Sequence, residues 1–121
     1  MLVLGMMSGT SGDGVDAVLV RFRGNVTQPN WQILNNYSIL YPYSLRKKVI
    51  NVGQSFRLSS SEWLELSEEI TQVYSEAALK CDPDGRAEIV GCHGQTVWHR
   101  PPTHKKKGAS MQILQPQMLS Q

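Results

Sequence analysis

Residues 7–18 read MSGTSGDGVDAV and crowd reactive groups into a short space. Gly9, Gly12 and Gly14 are interleaved with the hydroxyls of Ser8, Thr10 and Ser11 and the carboxylates of Asp13 and Asp16. Each glycine gives up more backbone freedom on folding than any other residue, so a turn built this way needs a reason. Anion binding supplies one: successive backbone N–H groups converge in such a nest, and no Cβ blocks the approach. Thr10 and Ser11 would add hydroxyl donors. Asp13 and Asp16 would repel a bare phosphate, but they suit one accompanied by Mg²⁺, which uses few carboxylates and keeps its waters. A Walker A loop is excluded because the G-K-[S/T] ending is missing, and the dinucleotide G-x-G-x-x-G pattern is absent too. An ordinary hairpin closed by Asp13-Gly14 accounts for the same residues without any ligand.

His93-Gly94-Gln95-Thr96 forms a second constellation, directly after a short apolar run. The end of a strand is where open α/β sheets place their ligands, and His, Gln and Thr offer directional hydrogen bonds suited to sugar hydroxyls. The alternative is that His93 and Gln95 only satisfy neighbouring backbone groups. Arg100 follows closely and could pair a substrate carboxylate bidentately. Lys105, Lys106 and Lys107 read as a solvated loop, and without interleaved aromatics beyond Trp98 they make no case for nucleic acid. Cys92 stands beside His93, but neighbours in a strand point to opposite faces, so a thiol–imidazole pair is not expected.

These residues must be positioned by the elements around them. Residues 1–7 and 15–22 are apolar runs flanking the glycine turn, which predicts a β-hairpin. Residues 31–41 predict a third strand, ended by Pro42, giving three sequential antiparallel strands. Residues 44–54 predict a helix with Leu45, Val49 and Val52 on one face and Arg46, Lys47 and Lys48 toward water. A capping box, Ser59-x-x-Glu62, opens a longer helix ending near Cys81. Its expected inner face runs through Trp63, Leu66, Ile70, Val73, Ala77 and Lys80. Trp63 and Tyr74 read as core or partner-facing residues. Residues 88–92 predict a short buried strand. Residues 96–98 and 110–114 predict a further hairpin around a Pro- and Lys-rich loop. The expected order is β-β-β-α-α-β-β-β, a mixed α/β arrangement.

Composition sets the outer bounds. The 121 residues suffice for one domain with a real core, and 40% hydrophobic with 18% charged residues is ordinary for a globular chain. A net charge of +2 does not argue for nucleic acid. Cys81 and Cys92 have no metal-ligand spacing and read as two free, buried thiols in a reducing compartment. No signal peptide and no membrane span is evident, so a cytoplasmic location is expected.

LGMMSGTSGDGVDAVLVRF and the later IVGCHGQTVWHRP together resemble the anhydro-N-acetylmuramic acid kinases. That family carries G-x-M-S-G-T-S-[hydrophobic]-D-G-[hydrophobic]-D near its start and G-[S/C]-H-G-Q-T-[hydrophobic]-x-H-x-P further on. The resemblance implies the ribonuclease-H-like fold of actin, sugar kinases and Hsp70-type ATPases, with ATP in a cleft between two halves. It implies that Gly9, Thr10, Ser11, Gly12, Asp13, Gly14, Val15 and Asp16 form the hairpin that meets the nucleotide phosphates. Asp13 or Asp16 would then hold Mg²⁺ through water, and His93, Gly94, Gln95, Thr96 and Arg100 would line the sugar side. The implied reaction opens the 1,6-anhydro ring of anhydro-N-acetylmuramate with water and moves the γ-phosphate of ATP to O6, a step of peptidoglycan recycling. The implied partners are an amino sugar and, for the full-length protein, a second copy in a homodimer. Residues 1–121 correspond to the N-terminal, phosphate-hairpin part, and the C-terminal half is absent. The family's base aspartate would lie beyond Gln121, so no catalytic base is assigned and the fragment alone is expected to be inactive. A truncated, non-catalytic phosphate- or sugar-binding domain is the competing reading. Gly12 stands where the family usually has a large apolar residue, which predicts a slacker turn missing a packing contact.

Overall fold

The first apolar run forms strand β1 (Leu2–Met7), and the chain returns as β2 (Gly14–Gly24) and β3 (Pro29–Leu40). A computed structural model describes residues 1–9 and 11–120. Two helices follow, α1 (Tyr43–Gly53) and α2 (Ser60–Cys81), then β4 (Ile89–Cys92), β5 (Gln95–Arg100), β6 (Ala109–Ile113) and a single turn of helix, α3 (Pro116–Leu119). The expected element order holds, and α3 is an addition that the weak apolar pattern of the last residues did not signal.

Strands β1, β2 and β3 pair antiparallel, and β4 joins the outer side of β1 in parallel, giving the sheet order β3-β2-β1-β4. Alternation sends Leu4 and Met6 of β1 and Val15, Ala17 and Leu19 of β2 to one buried face. Helix α2 packs there through Leu66, Ile70, Val73, Tyr74, Ala77 and Cys81. Helix α1 adds Leu45, Val49 and Val52, the three residues expected on its inner face. The opposite face of the sheet stays open, with Met7, Trp31, Ile33 and Ile89 half exposed or more.

The capping box is present: Ser59 Oγ accepts the Glu62 N–H at 3.2 Å, and Glu62 Oε1 accepts the Ser59 N–H at 2.9 Å. The inner face of α2 lies differently from the expected one. Trp63 is only half buried and Lys80 is exposed, while Ser67, Thr71 and Tyr74 are inside. The polar members are tolerated because each finds a partner. Thr71 Oγ1 donates to Ser67 O at 2.7 Å and accepts the Gln115 N–H at 2.9 Å.

Two further expectations fail for one reason. Strand β4 is exposed along its whole length, not buried, and Cys92 at its end is exposed while Cys81 is fully buried. An edge strand has a partner on one side only, so its apolar composition does not by itself bury it.

Candidate functional site

The glycine turn crosses from Met7 to Gly14 at the end of the sheet where β1 and β4 finish. Its shape depends on two glycines. Gly12 sits at φ 67°, a left-handed conformation, and its N–H donates to Gly9 O at 3.2 Å. A Cβ on Gly12 would lie 2.9 Å from Val49 Cγ1 of α1. The expected slack turn with a missing contact is therefore corrected: Gly12 is buried and closes directly onto Val49. At Gly14 a Cβ would stand 2.1 Å from Ile39 O, so β3 can run this close only past a glycine. Gly9 and Ser11 face solvent, and among the described residues the Gly9, Ser11 and Asp13 amides have no acceptor. Thr10 lies outside the described residues. Val15, expected in the phosphate hairpin, has a side chain only 1% exposed in the core, which leaves its backbone alone as a possible contact.

The two carboxylates diverge. Asp13 Oδ1 pairs with Arg46 of α1 at 2.8 Å, both side chains half exposed. Asp16 Oδ1 accepts from Ser38 Oγ of β3 at 2.6 Å. Among the described residues the second oxygen of each has no hydrogen-bond or ion-pair partner. Among the described residues no three His, Cys, Asp or Glu side chains converge, and a lone carboxylate suits Mg²⁺ only as one contact to a hydrated ion.

The second motif folds back against this turn. His93 N–H donates to Met6 O at 2.9 Å, extending the β1–β4 pairing by one residue. His93 itself is exposed, and its Nδ1 lies 2.8 Å from Gly94 O. A carbonyl only accepts, so this contact is a hydrogen bond when the hydrogen is on Nδ1, which turns Nε2 to the outside. Gln95 is fully buried. Its Nε2 donates to Gly9 O at 3.1 Å and to Thr96 O at 2.9 Å, and its Oε1 accepts from Tyr41 Oη at 3.0 Å. The amide expected to reach a sugar is instead occupied in holding the glycine turn.

Tyr41, expected only as the end of a strand, and Tyr74, expected only as a core or partner-facing residue, also hold the site together. Tyr74 Oη donates to His93 O at 2.6 Å and sits 2.6 Å from Ser8 Oγ. Tyr41 donates its backbone N–H to Asp13 O at 2.9 Å, gripping the far limb of the turn. Burial pushes both phenols above their ordinary range, so both stay protonated donors. A signal did exist: Tyr74 falls among Ile70, Val73 and Ala77, and a phenol on an apolar stripe needs a buried partner for its O–H.

Two depressions flank the turn. One, of about 370 Å³, is lined by Ser11, Gly53, Gln54, Thr96, Trp98 and His99. The other, a trough of about 680 Å³ on the open sheet face, brings Asp16 and Ser38 together with His93 and Cys92. The expected site residues are thus shared between two sides of one turn. Arg100 lies in neither: its Nε and one terminal nitrogen donate to Lys107 O at 3.3 and 3.2 Å, inside its own loop.

A family model described as anhydro-N-acetylmuramic acid kinase matches residues 1–121. The chain belongs to this family. An anhydro-N-acetylmuramic acid kinase of Prochlorococcus marinus (strain MIT 9313) is 59% identical over 121 residues, covering all of this chain and 32% of that protein. A protein of the same name from Synechococcus sp. (strain CC9605) is 54% identical over 114 residues, 94% of this chain and 30% of its own length. The chain therefore spans about a third of the curated relatives it matches. Membership of the anhydro-N-acetylmuramic acid kinase family carries the sugar-kinase and actin-like ATPase fold, to which three antiparallel strands extended by a parallel fourth belong. Among the described residues no helix is long and apolar enough to cross a membrane.

Proposed function

We propose that this chain forms the phosphate-binding part of an ATP-dependent kinase acting on 1,6-anhydro-N-acetylmuramate, with phosphoryl transfer to O6 after the anhydro ring opens. One observation carries the reading most directly. The glycine turn and the His93–Gln95 segment, far apart in the chain, are joined by a hydrogen bond from Gln95 to Gly9 and by Tyr74, which donates to the His93 carbonyl and accepts from Ser8. Two segments that matter separately in the family's pattern make one place here.

In that place the exposed Gly9 and Ser11 present backbone donors to the β- and γ-phosphates, where charge is met by fixed dipoles at no reorganisation cost. Mg²⁺ would supply neutralisation of the triphosphate, held through water by Asp13 or by Asp16, since the two carboxylates turn to different neighbours. His93 Nε2 accepts a sugar hydroxyl, with Thr96 on the other side of the turn. Gln95 and Gly94 act through position rather than contact. The general base that activates water is not assigned to any residue of this chain.

Titration calorimetry with Mg·pyrophosphate, followed by a phosphoryl-transfer assay with Mg·ATP and anhydro-N-acetylmuramate, tests this. We expect pyrophosphate to bind the 121-residue chain and Gly9→Val to abolish the binding, with no turnover by this chain alone. Loss of no affinity in Gly9→Val would remove the turn from the phosphate site. Binding of the sugar without any phosphate ligand would favour a sugar-binding domain instead.

A further inference from the structure

Helix α2 carries no residue of either motif, yet it supplies the hydroxyl at their junction. Tyr74 is fully buried, and its single hydroxyl hydrogen goes to the His93 carbonyl. The contact to Ser8 must then run the other way, with Ser8 Oγ donating to Tyr74 Oη. The result is a directed relay from the first residue after β1 to the first residue after β4. A phenylalanine would fill the same space without the desolvation cost of burying a phenol. The other buried hydroxyls on this helix, Ser67 and Thr71, are engaged by Gln115 and by the helix itself and not by the turn. A second tie runs alongside, from Tyr41 Oη through the Gln95 amide to Gly9 O.

We propose that Tyr74 is a positioning residue that couples the glycine turn to the His93–Gln95 segment, so that a displacement of one is felt by the other through Ser8 Oγ, Tyr74 Oη and the His93 carbonyl. The proposal deepens the phosphate reading and rests on it only for what the turn holds. Sites that join two substrates need their parts held to a fraction of an ångström, and a bonded relay between neutral groups does this without adding charge to the site. Hydrogen bonds linked in a chain also polarise one another, so loss of one weakens the next.

The test needs no ligand for its first arm. Amide exchange is followed at His93, whose N–H is bonded to Met6 O, relative to the slowest amides of α2. Ser8→Ala removes a group that does not touch His93. We expect it to speed His93 exchange roughly tenfold, the scale of one lost net hydrogen bond. In a Tyr74→Phe background the same Ser8→Ala change should add nothing. Unchanged His93 exchange in Ser8→Ala, or an equal effect in both backgrounds, overturns the coupling. Tyr74→Phe keeps the ring; if it still fails to fold, Ser8→Ala alone decides.

The second arm reads position rather than stability. Mg·pyrophosphate should bind Tyr74→Phe roughly tenfold more weakly than wild type at a temperature where both are folded, matching one lost net hydrogen bond. Equal affinity would make Tyr74 a packing residue only. Absence of pyrophosphate binding by the wild type overturns the phosphate reading alone, because the exchange cycle still decides the coupling.

Discussion

Replacing Gly12 by leucine tests the turn most sharply, because a large apolar residue is what the family pattern usually has there. Two costs can be worked from the structure. A φ of 67° places an L-residue in the left-handed region, at about 1–2 kcal/mol. The new Cβ would also lie 2.9 Å from Val49 Cγ1, whose position is fixed by the packing of α1, and such overpacking costs about 1–3 kcal/mol. Together they predict a loss of roughly 2–5 kcal/mol, a large share of a small domain's stability. At roughly 3–6 °C per kcal/mol for a chain of this size, the midpoint should fall by about 6 °C or more. Scanning calorimetry or thermal circular dichroism reads this. Three companions separate the costs. Gly12→Asn keeps the contact but tolerates the backbone; Gly12→Ala bears both costs in smaller measure; Gly12→Ala with Val49→Ala relieves the contact alone. A Gly12→Leu chain that melts with the wild type would refute the reasoning, since neither the left-handed turn nor its closure onto Val49 could then be as described.

Gly14→Ala is expected to be worse tolerated, because its Cβ meets backbone that cannot rotate away, and the β2–β3 end must open; soluble yield and melting temperature check it. Ser59→Ala should cost about 1 kcal/mol through the lost cap of α2, read by denaturant titration. The hydrogen bond from the Ser59 N–H, and then that with its side chain, hold Glu62 below its ordinary carboxylate range. A depressed folded-state pKa stabilises at pH above the unfolded value and loses that contribution as pH falls through the folded one. The melting difference between wild type and Glu62→Gln should therefore shrink as the pH drops through and below the carboxylate range; a constant difference would count against it. Finally, a thiol reagent should modify Cys92 in the native protein and Cys81 only after unfolding, and equal reactivity of the two would contradict the burial described.

Much of the frame was legible because it is local. The hairpin, the third strand, the inner face of α1 and the capping box all follow from residues within a few positions of one another. The face of α2 was misread in part for a physical reason: Ser67 and Thr71 look polar in a periodicity count, but each has a partner in Gln115. Burial of β4 was misjudged because composition reports what a strand can bury, not how many neighbours it has. The site was legible as two motifs and not as a geometry. Nothing in the spacing tells that Gln95 turns inward to Gly9, that Arg100 turns back to Lys107, or that Asp16 and Ser11 lie on different sides of the turn. The first is decided by a contact across 86 residues of chain, and the second by a loop closing on itself over seven, neither of which spacing reports.

The parallel pairing of β1 with β4 has a consequence for the order in which the molecule can come into being. Strands β1, β2 and β3 are neighbours in sequence and close small loops, while Val3 meets Ile89 only after nearly the whole described chain has been made. Contacts that close long loops form late. During synthesis the strands of the glycine turn leave the ribosome on the order of several seconds before β4 does. For that interval the nascent chain carries one wall of the site with its hydroxyls and carboxylates in solvent, and Ser8, Gly9 and Tyr41 wait for partners still being translated. The site can therefore be completed only once β4 and Gln95 have been made, and a synonymous change that slows translation between β3 and β4 would lengthen the exposure of an unfinished sheet edge.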